Sequence, residues 1–198
     1  MKSAVVIGAL LMPSTAFGQA HVTTHHNDAA RTGANLNETV LTTTNVNVSE
    51  FGKLFERTVD DEIYVQPLYV ESVTIPGLGV RNVVYVATNR NSVYAFDADN
   101  ASATAPLWSV TYMPPGAAPV FRTDVGQACG TYVDFAGNIG IGGTPAIDQA
   151  SQTIYFVTRT KENGTFVQRL HALDIATGAE KLGGPGACSM NVAMPKPR

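Results

Sequence analysis

Short runs of apolar and β-branched residues alternate with polar turn residues through the middle of the chain. Such runs, without helical periodicity, are typical of an all-β fold. A first unit contains four of them, at residues 66–70, 82–88, 92–98 and 106–110. Gly, Asn, Asp and Ser residues separate the runs, as turns require. The pattern therefore predicts four short strands in this unit.

A second unit repeats the first, with runs at residues 143–148, 152–158, 169–175 and 179–182. Val84-Tyr85-Val86 matches Ile154-Tyr155-Phe156, and Ala95-Phe96-Asp97 matches Ala172-Leu173-Asp174. Four strands in roughly 40 residues have the size of one blade of a β-propeller. The sequence therefore predicts an all-β propeller fragment of about two four-stranded blades, at residues 62–110 and 143–185.

Asp97 and Asp174 occupy equivalent places at the end of an apolar run, directly before a turn. A carboxylate there can accept backbone N–H bonds from two residues further on, which fixes the turn. Gly178 follows in the second of these turns. We interpret all three residues as structural rather than catalytic.

A connection rich in Gly and Pro, residues 111–142, separates the two units. Long connections without periodicity are usually functional loops or disordered insertions. The candidate functional residues of this insertion are Asp124, Cys129, Asp134 and Asn138. The glycine run at 137–143 lacks the Lys-Ser/Thr and the following helix of a phosphate loop, so we interpret it as backbone leading into the next inner strand.

The residues before the first unit divide into two parts. Residues 21–50 are polar and irregular, whereas Phe51 to Val59 alternate well enough for one strand. In the blade register this strand resembles an outer fourth strand, so it is predicted to close a propeller ring together with a blade that the chain lacks. Residues 186–198 lack strand alternation, and a frameshift, a truncated gene or a disordered tail would each explain them.

The first 20 residues have the pattern of a secretory signal peptide. Lys2 precedes a short apolar stretch, and small residues offer cleavage points after Gly18 or after Ala20. The mature protein is therefore expected to be exported, to the periplasm or the medium of a bacterial cell. An oxidising compartment permits a disulfide, but the sequence leaves open whether Cys129 and Cys188 pair with each other.

Charge and hydropathy exclude two classes of partner. The chain of 198 residues has a net charge of -3, and its Lys and Arg residues are scattered, so no nucleic-acid surface is expected. No segment after the signal approaches the length of a membrane span. Two blades are fewer than the roughly four to eight of a propeller, so their open faces would need missing blades or a protein or polymer partner.

At these residues the chain resembles the pyrroloquinoline-quinone (PQQ) repeat proteins, the quinoprotein alcohol dehydrogenase-like propellers. The resemblance is carried by 84–88 with 93–97, and by the stretch from Leu170 to Lys181. This stretch matches the family pattern Ala-x-Asp-x-x-Thr-Gly-x-x-x-Trp but lacks the final tryptophan, whereas Trp108 stands near that place in the first unit. The segment from His25 to Asn35 also resembles the start of secreted bacterial members.

The resemblance implies PQQ and Ca²⁺ as cofactors, but neither can be assigned to residues of this chain. Family dehydrogenases hold the quinone with adjacent disulfide-bonded cysteines, which are missing here. Asp124, Asp134 and Asn138 have the oxygen donors that Ca²⁺ prefers, although loop carboxylates are more often solvated.

The histidines of the sequence do not indicate a metal site or a catalytic site. His25 and His26 are expected to point to opposite sides of an extended segment, which makes a poor metal site. His171 is expected to pack or face solvent within a strand. No acid–base pair and no nucleophile with a base partner emerges from the sequence.

Three functions remain open. The chain is predicted to be a non-catalytic scaffold or binding module, and whether it is an enzyme stays uncertain. One alternative is a truncated PQQ-dependent dehydrogenase. The other is an extracellular protein that binds carbohydrate or another polymer.

Overall fold

The computed structural model describes residues 21–36, 38–125 and 134–184, together with the backbone of residues 189–190. These residues contain no α-helix and only one 3-10 turn, at Arg122–Asp124. The strands are β1 (Leu68–Ile75), β2 (Gly79–Ala87), β3 (Ser92–Asp97), β4 (Trp108–Thr111), β5 (Ala117–Pro119), β6 (Ala146–Asp148), β7 (Thr153–Glu162), β8 (Thr165–Asp174) and β9 (Ser189–Met190). The prediction of an all-β chain is confirmed.

The first sheet is an antiparallel meander in the order β1-β2-β3-β4. Its strands fall close to the four runs of the first unit. The register of β1 with β2 shifts between Val70 and Val73, where Ser72 adopts a φ of 58°. Such a bulge bends β1 and increases its twist.

The second sheet is built around the long β7–β8 hairpin, whose strands pair from Thr153↔Asp174 to Glu162↔Thr165. Asn163 and Gly164 form the two-residue turn, with φ angles of 48° and 82°. Positive φ at both positions is the type I′ geometry that Asn-Gly favours. β5 and β6 pair with opposite ends of β7 and share one strand position, so the sheet has four positions although it has five strands.

The connection predicted as an insertion contributes directly to this second sheet. Ala117 to Pro119 pair with Lys161 and its neighbours at the far end of β7. Pairing is possible because β7 extends to Glu162, well beyond the run that alternation identified. The end of the connection, at the glycine run, leads into β6 as expected.

The two sheets share one hydrophobic core. Val83, Tyr85 and Ala87 of the first sheet are buried together with Ile154 and Phe156 of the second. Tyr85 and Tyr155 occupy equivalent positions, since each lies opposite the alanine two residues before the turn aspartate. Neighbouring residues on a strand point to opposite faces, so Tyr85 faces the second sheet while Tyr155, next to the core residues Ile154 and Phe156, faces away from the first. The sheets are therefore stacked head to tail.

Two contacts tie the β2–β3 turn to β7 and to the glycine run that precedes β6. The side-chain amide of Asn91 donates to the Arg159 carbonyl at 2.7 Å and accepts from the Arg159 N–H at 3.1 Å. Gly140 packs so closely that an added Cβ would lie 2.3 Å from the Asn89 carbonyl oxygen. Only glycine allows this approach.

The predicted closing strand stays a prediction, since the partner expected for it is a further blade. Residues 51–59 pair with no strand of the described chain. Phe51 and Leu54 are largely exposed, because no neighbouring sheet covers the alternating apolar residues. Further along, Asp60 accepts hydrogen bonds from Thr88 at 2.8 Å and from Ser92 at 2.5 Å, which holds the following residues against the first sheet.

Several predictions fall on residues outside the described ranges. These are the signal peptide at 1–20, Cys129, Cys188 and nearly all of the tail at 186–198. Among the described residues, no helix has the length and apolar character needed to cross a membrane.

Candidate functional site

The turn aspartates make matching hydrogen bonds in the two sheets. Asp97 Oδ1 accepts from the N–H groups of Asp99 at 3.0 Å and Asn100 at 3.1 Å. Asp174 Oδ1 accepts from the N–H groups of Ala176 at 3.1 Å and Thr177 at 3.0 Å. Each carboxylate therefore closes the turn that follows its strand.

We expect Asp174→Ala to reduce the free energy of unfolding by about 1 to 2 kcal/mol, because the turn loses these acceptor contacts. Asp174→Asn keeps one side-chain oxygen and should lose less. The exposed Asp134→Ala serves as control and should change stability by less than about 0.5 kcal/mol. Urea unfolding followed by circular dichroism measures all three, and equal values for Asp174→Ala and the control would contradict the role of this carboxylate.

Trp108 connects the first sheet to the turn of the second. Its indole Nε1 donates to the Ile175 carbonyl at 3.0 Å, and the Tyr85 hydroxyl donates to the same carbonyl at 3.0 Å. The indole also lies against Gly178, where an added Cβ would be 2.6 Å from the ring. Gly178 has a φ of 71°, so both the turn and the contact require glycine.

The candidate residues of the connecting loop do not converge. Lys161 Nζ contacts Asp124 Oδ1 at 2.6 Å, while Asn138 donates to Asp61 at 2.7 Å. Burial raises the pKa of the Asp124 carboxyl, but the hydrogen bonds from Lys161 and from the Phe121 N–H, together with the charge of Lys161, outweigh burial, and the net pKa is lowered. Asp134 is exposed, and Cys129 lies outside the described residues.

This arrangement does not fit a Ca²⁺ site. Asp124 is paired with Lys161, Asn138 is bound through its amide N–H to Asp61, and Asp134 is exposed, so the three candidate side chains lie on separate contacts. No group of three or more His, Cys, Asp or Glu residues in the described ranges is placed to hold a metal ion.

The expected geometry of His25 and His26 is wrong. Their ring centroids lie 4.1 Å apart, on the same side of the chain. The reason is a turn, since His26 has a φ of 60° and Asn27 a φ of 73°, and Thr24 forms a bridge with Asn27. An extended backbone would have separated the rings.

A cleft of about 260 Å³ opens between the two sheets, beyond the end of β4. Tyr112, Met113 and Pro114 line one part of it. Side chains that can form hydrogen bonds line the rest, and these are Thr111, Thr158, Thr160, Arg169 and His171. In this cleft a cavity meets three buried polar side chains, Thr158, Thr160 and His171, and we take it as the candidate site.

His171 forms the floor of this cleft and is only 1% exposed. Its Nδ1 lies 3.1 Å from Glu180 Oε2, and its Nε2 lies 3.1 Å from Thr158 Oγ1. A carboxylate can only accept, so we assign the ring proton to Nδ1, and Nε2 then accepts from the Thr158 hydroxyl. Glu180 polarises the imidazole of His171, and the imidazole in turn polarises the Thr158 hydroxyl. Thr158 Oγ1 is therefore a stronger acceptor for a further hydrogen bond.

Aromatic rings enclose the imidazole. The Tyr112 ring centroid lies 4.0 Å from that of His171, and the Phe156 ring stacks on it at 5.3 Å. Burial lowers the pKa of His171, while the hydrogen bond to Glu180 raises it, and the net direction is downward. His171 is therefore neutral at pH 7 in the folded protein.

Arg169 and Glu162 form an ion pair at the rim of the cleft. Arg169 Nη2 donates to Glu162 Oε2 at 2.9 Å, and a second bond joins Nη1 to Oε1. Bidentate pairing and a hydrogen bond from Thr160 lower the pKa of Glu162 to about 2. Glu162 is thus ionised at neutral pH, and its charge is balanced within the cleft.

The neutral, buried His171 predicts a pH dependence of stability. The unfolded chain binds a proton at His171 near pH 6.5, whereas the folded chain resists protonation to lower pH. Stability is therefore full above about pH 6.5 and falls as pH decreases toward the folded pKa, by up to about 1.4 kcal/mol per pH unit.

Urea unfolding at pH 7.5, 6.5 and 5.5 tests this expectation. His171→Gln should remove most of the slope, while His25→Gln, at an exposed position, should keep it. A slope that is unchanged in His171→Gln would show that another group controls stability in this range.

The sequence interpretation missed the Thr158–His171–Glu180 chain. It identified no acid–base pair, because the partners are 13 and 9 residues apart in sequence. The Asn163-Gly164 dipeptide was the available signal, since Asn-Gly between strands predicts a two-residue hairpin turn. Counting back from that turn pairs Phe156 with His171, which places Thr158 diagonally beside the imidazole.

Comparison with known proteins found no family model, no curated protein and no solved structure that matches this chain.

Proposed function

We propose that the chain is an exported, non-catalytic binding module built from two blades of a PQQ-type repeat propeller. The observation that carries the proposal is the head-to-tail stacking of two equivalently built sheets around one core. Blades of a propeller stack in this sense, because each presents one face to the blade before it and the other to the blade after it.

The residues that carry the repeat support a structural role. Asp97 and Asp174 close turns, and Trp108 and Gly178 join one sheet to the next. None of these four residues lines the cleft. The repeat therefore supplies the scaffold, and the side chains around the cleft are free to differ in chemistry.

Nuclear Overhauser effects test the stacking. Tyr85 ring protons should contact Ile175 of the second sheet, and Tyr155 ring protons should contact no residue of the first sheet. In a β-sandwich, the equivalent faces of the two sheets would meet, and Tyr85 and Tyr155 would point toward each other. Nuclear Overhauser effects between these two rings would refute the propeller arrangement.

Quinone addition tests the absence of catalysis. Titration with PQQ and Ca²⁺ in the presence of an alcohol and an acceptor dye should give no dye reduction above buffer. Quinone-dependent reduction would instead support the truncated dehydrogenase.

Export is tested separately by the mass of the mature protein, which should begin at Gln19 or His21.

A further inference from the structure

The cleft between β4 and the β7–β8 hairpin has room for a small molecule. Its volume of about 260 Å³ is just below the roughly 300–1,000 Å³ found for ligand pockets. Thr158, Thr160 and His171 form a floor that is at most 2% exposed, and Arg169 and Glu162 lie at the rim. This floor is fixed before any ligand arrives.

Arg169, the cationic side chain that lines the cleft, is already paired with Glu162. Glu180 keeps its negative charge, because its donors, His171 and the Ala172 N–H, are neutral. No uncompensated cation therefore remains to attract an anion. An anionic ligand would have to be desolvated here beside the Glu180 carboxylate, without a cation in return.

The remaining hydrogen-bonding capacity is suited to hydroxyl groups. A guanidinium has five N–H donors, and those of Arg169 contact Thr160 once and Glu162 twice, which leaves two. Thr158 gives its hydrogen to His171 and keeps acceptor lone pairs. A hydroxyl group both donates and accepts, so adjacent hydroxyls can use both kinds of site.

The opposite part of the cleft is apolar. Tyr112, Met113 and Pro114 present ring, thioether and pyrrolidine surfaces. Burial raises the pKa of Tyr112, and the hydrogen bond to Glu180 raises it further, so its phenol stays neutral and bound to the protein. This wall matches the C–H face of a saturated ring, whose hydroxyls point sideways.

We propose that this cleft binds a neutral polyhydroxylated ligand of the size of one pyranose ring. Vicinal hydroxyls bind Arg169 and Thr158, and the C–H face packs against Tyr112 and Pro114. The inference rests on the proposed function as a binding module and names the ligand class of that module.

Saturation-transfer NMR and chemical-shift mapping test the proposal on the full chain. Probes are the methyl glycosides of glucose, galactose and mannose, with gluconate and glucose 6-phosphate as anionic counterparts. At least one neutral probe should show transfer and shift the Met113 methyl resonance, and the anions should bind at least about tenfold more weakly.

Two threonine variants localise the contact. Thr158→Val should weaken binding about tenfold through loss of the hydroxyl acceptor, and Thr158→Ser should restore it. Thr74→Val, exposed on β1, is the matched control and should bind as the parent does. If Thr158→Val does not fold, the Met113 shift in the parent protein decides the location.

The other outcomes test the ligand class and the proposed function separately. No transfer from any neutral probe, or equal binding of the anions, overturns the ligand assignment and leaves the scaffold proposal intact. Quinone-dependent oxidation of a bound sugar would refute the non-catalytic function while supporting the cleft.

Discussion

Trp108→Ala should be the most destabilising single substitution in the contact between the two sheets, lowering the free energy of unfolding by about 3 kcal/mol. The change removes a half-buried indole, its packing against Gly178 and its hydrogen bond to the Ile175 carbonyl. It also leaves a cavity beside Tyr85, whose ring centroid lies 5.9 Å from that of Trp108.

One further variant separates the packing of the ring from the indole hydrogen bond, and a second variant serves as control. Trp108→Phe keeps a ring but loses the indole N–H, and the cost should be about 1 kcal/mol because Tyr85 still donates to the Ile175 carbonyl. Leu182→Ala is the control, since Leu182 is 80% exposed and its loss should cost less than about 0.5 kcal/mol. Urea unfolding followed by far-ultraviolet circular dichroism suits the series, because Trp108 is the only tryptophan. A Trp108→Ala value equal to the control would mean that the sheets do not depend on this contact.

Gly140→Ala should lower the free energy of unfolding by about 2 to 3 kcal/mol, through steric overlap alone. The new Cβ would lie 2.3 Å from the Asn89 carbonyl oxygen and 2.7 Å from Asn91 Oδ1. Asn91 also binds the main chain of Arg159, so displacing it disturbs the link between the sheets. The Asn89 carbonyl is part of the backbone, and Asn91 Oδ1 cannot move aside without losing its hydrogen bond from the Arg159 N–H.

Gly143→Ala is the matched control within the same glycine run. No atom lies within 4 Å of its added Cβ, and its backbone does not need positive φ. Replacing glycine there should stabilise the protein by about 0.4 to 1 kcal/mol, because the unfolded chain loses conformational freedom. Opposite signs for the two alanines, measured by thermal and urea unfolding, are expected. Equal effects would contradict the close approach at Gly140.

The strand pattern could be predicted because alternation is a local property. A strand that covers one side of a core must place apolar residues at every second position, and turn residues mark its ends. This is why the runs around Tyr85 and Tyr155 fall within β2 and β7. The segment from Phe51 to Val59 shows the limit of this signal, since alternation indicates that a segment can pair but not where its partner strand lies.

The cleft could not be predicted in this way. The Asn163-Gly164 turn could have placed Thr158 beside His171, but nothing near His171 in sequence shows that Tyr112 and Glu180 also contact it. Its partners come from three separate segments, and only the packing of β4 beside the β7–β8 hairpin brings Tyr112 to the imidazole. The pairing of Ala117 to Pro119 with β7 depends on tertiary structure in the same way, because three residues are too few to carry a periodic signal.

The sequence by itself determined the all-β class, the two matching units and the aspartates that close their turns, because these depend on contacts within a few residues. The tertiary structure decided which faces meet, which charges are paired and where a cavity remains. Those features depend on distances between residues far apart in the chain, and such distances follow from the packing of one sheet on another rather than from local pattern.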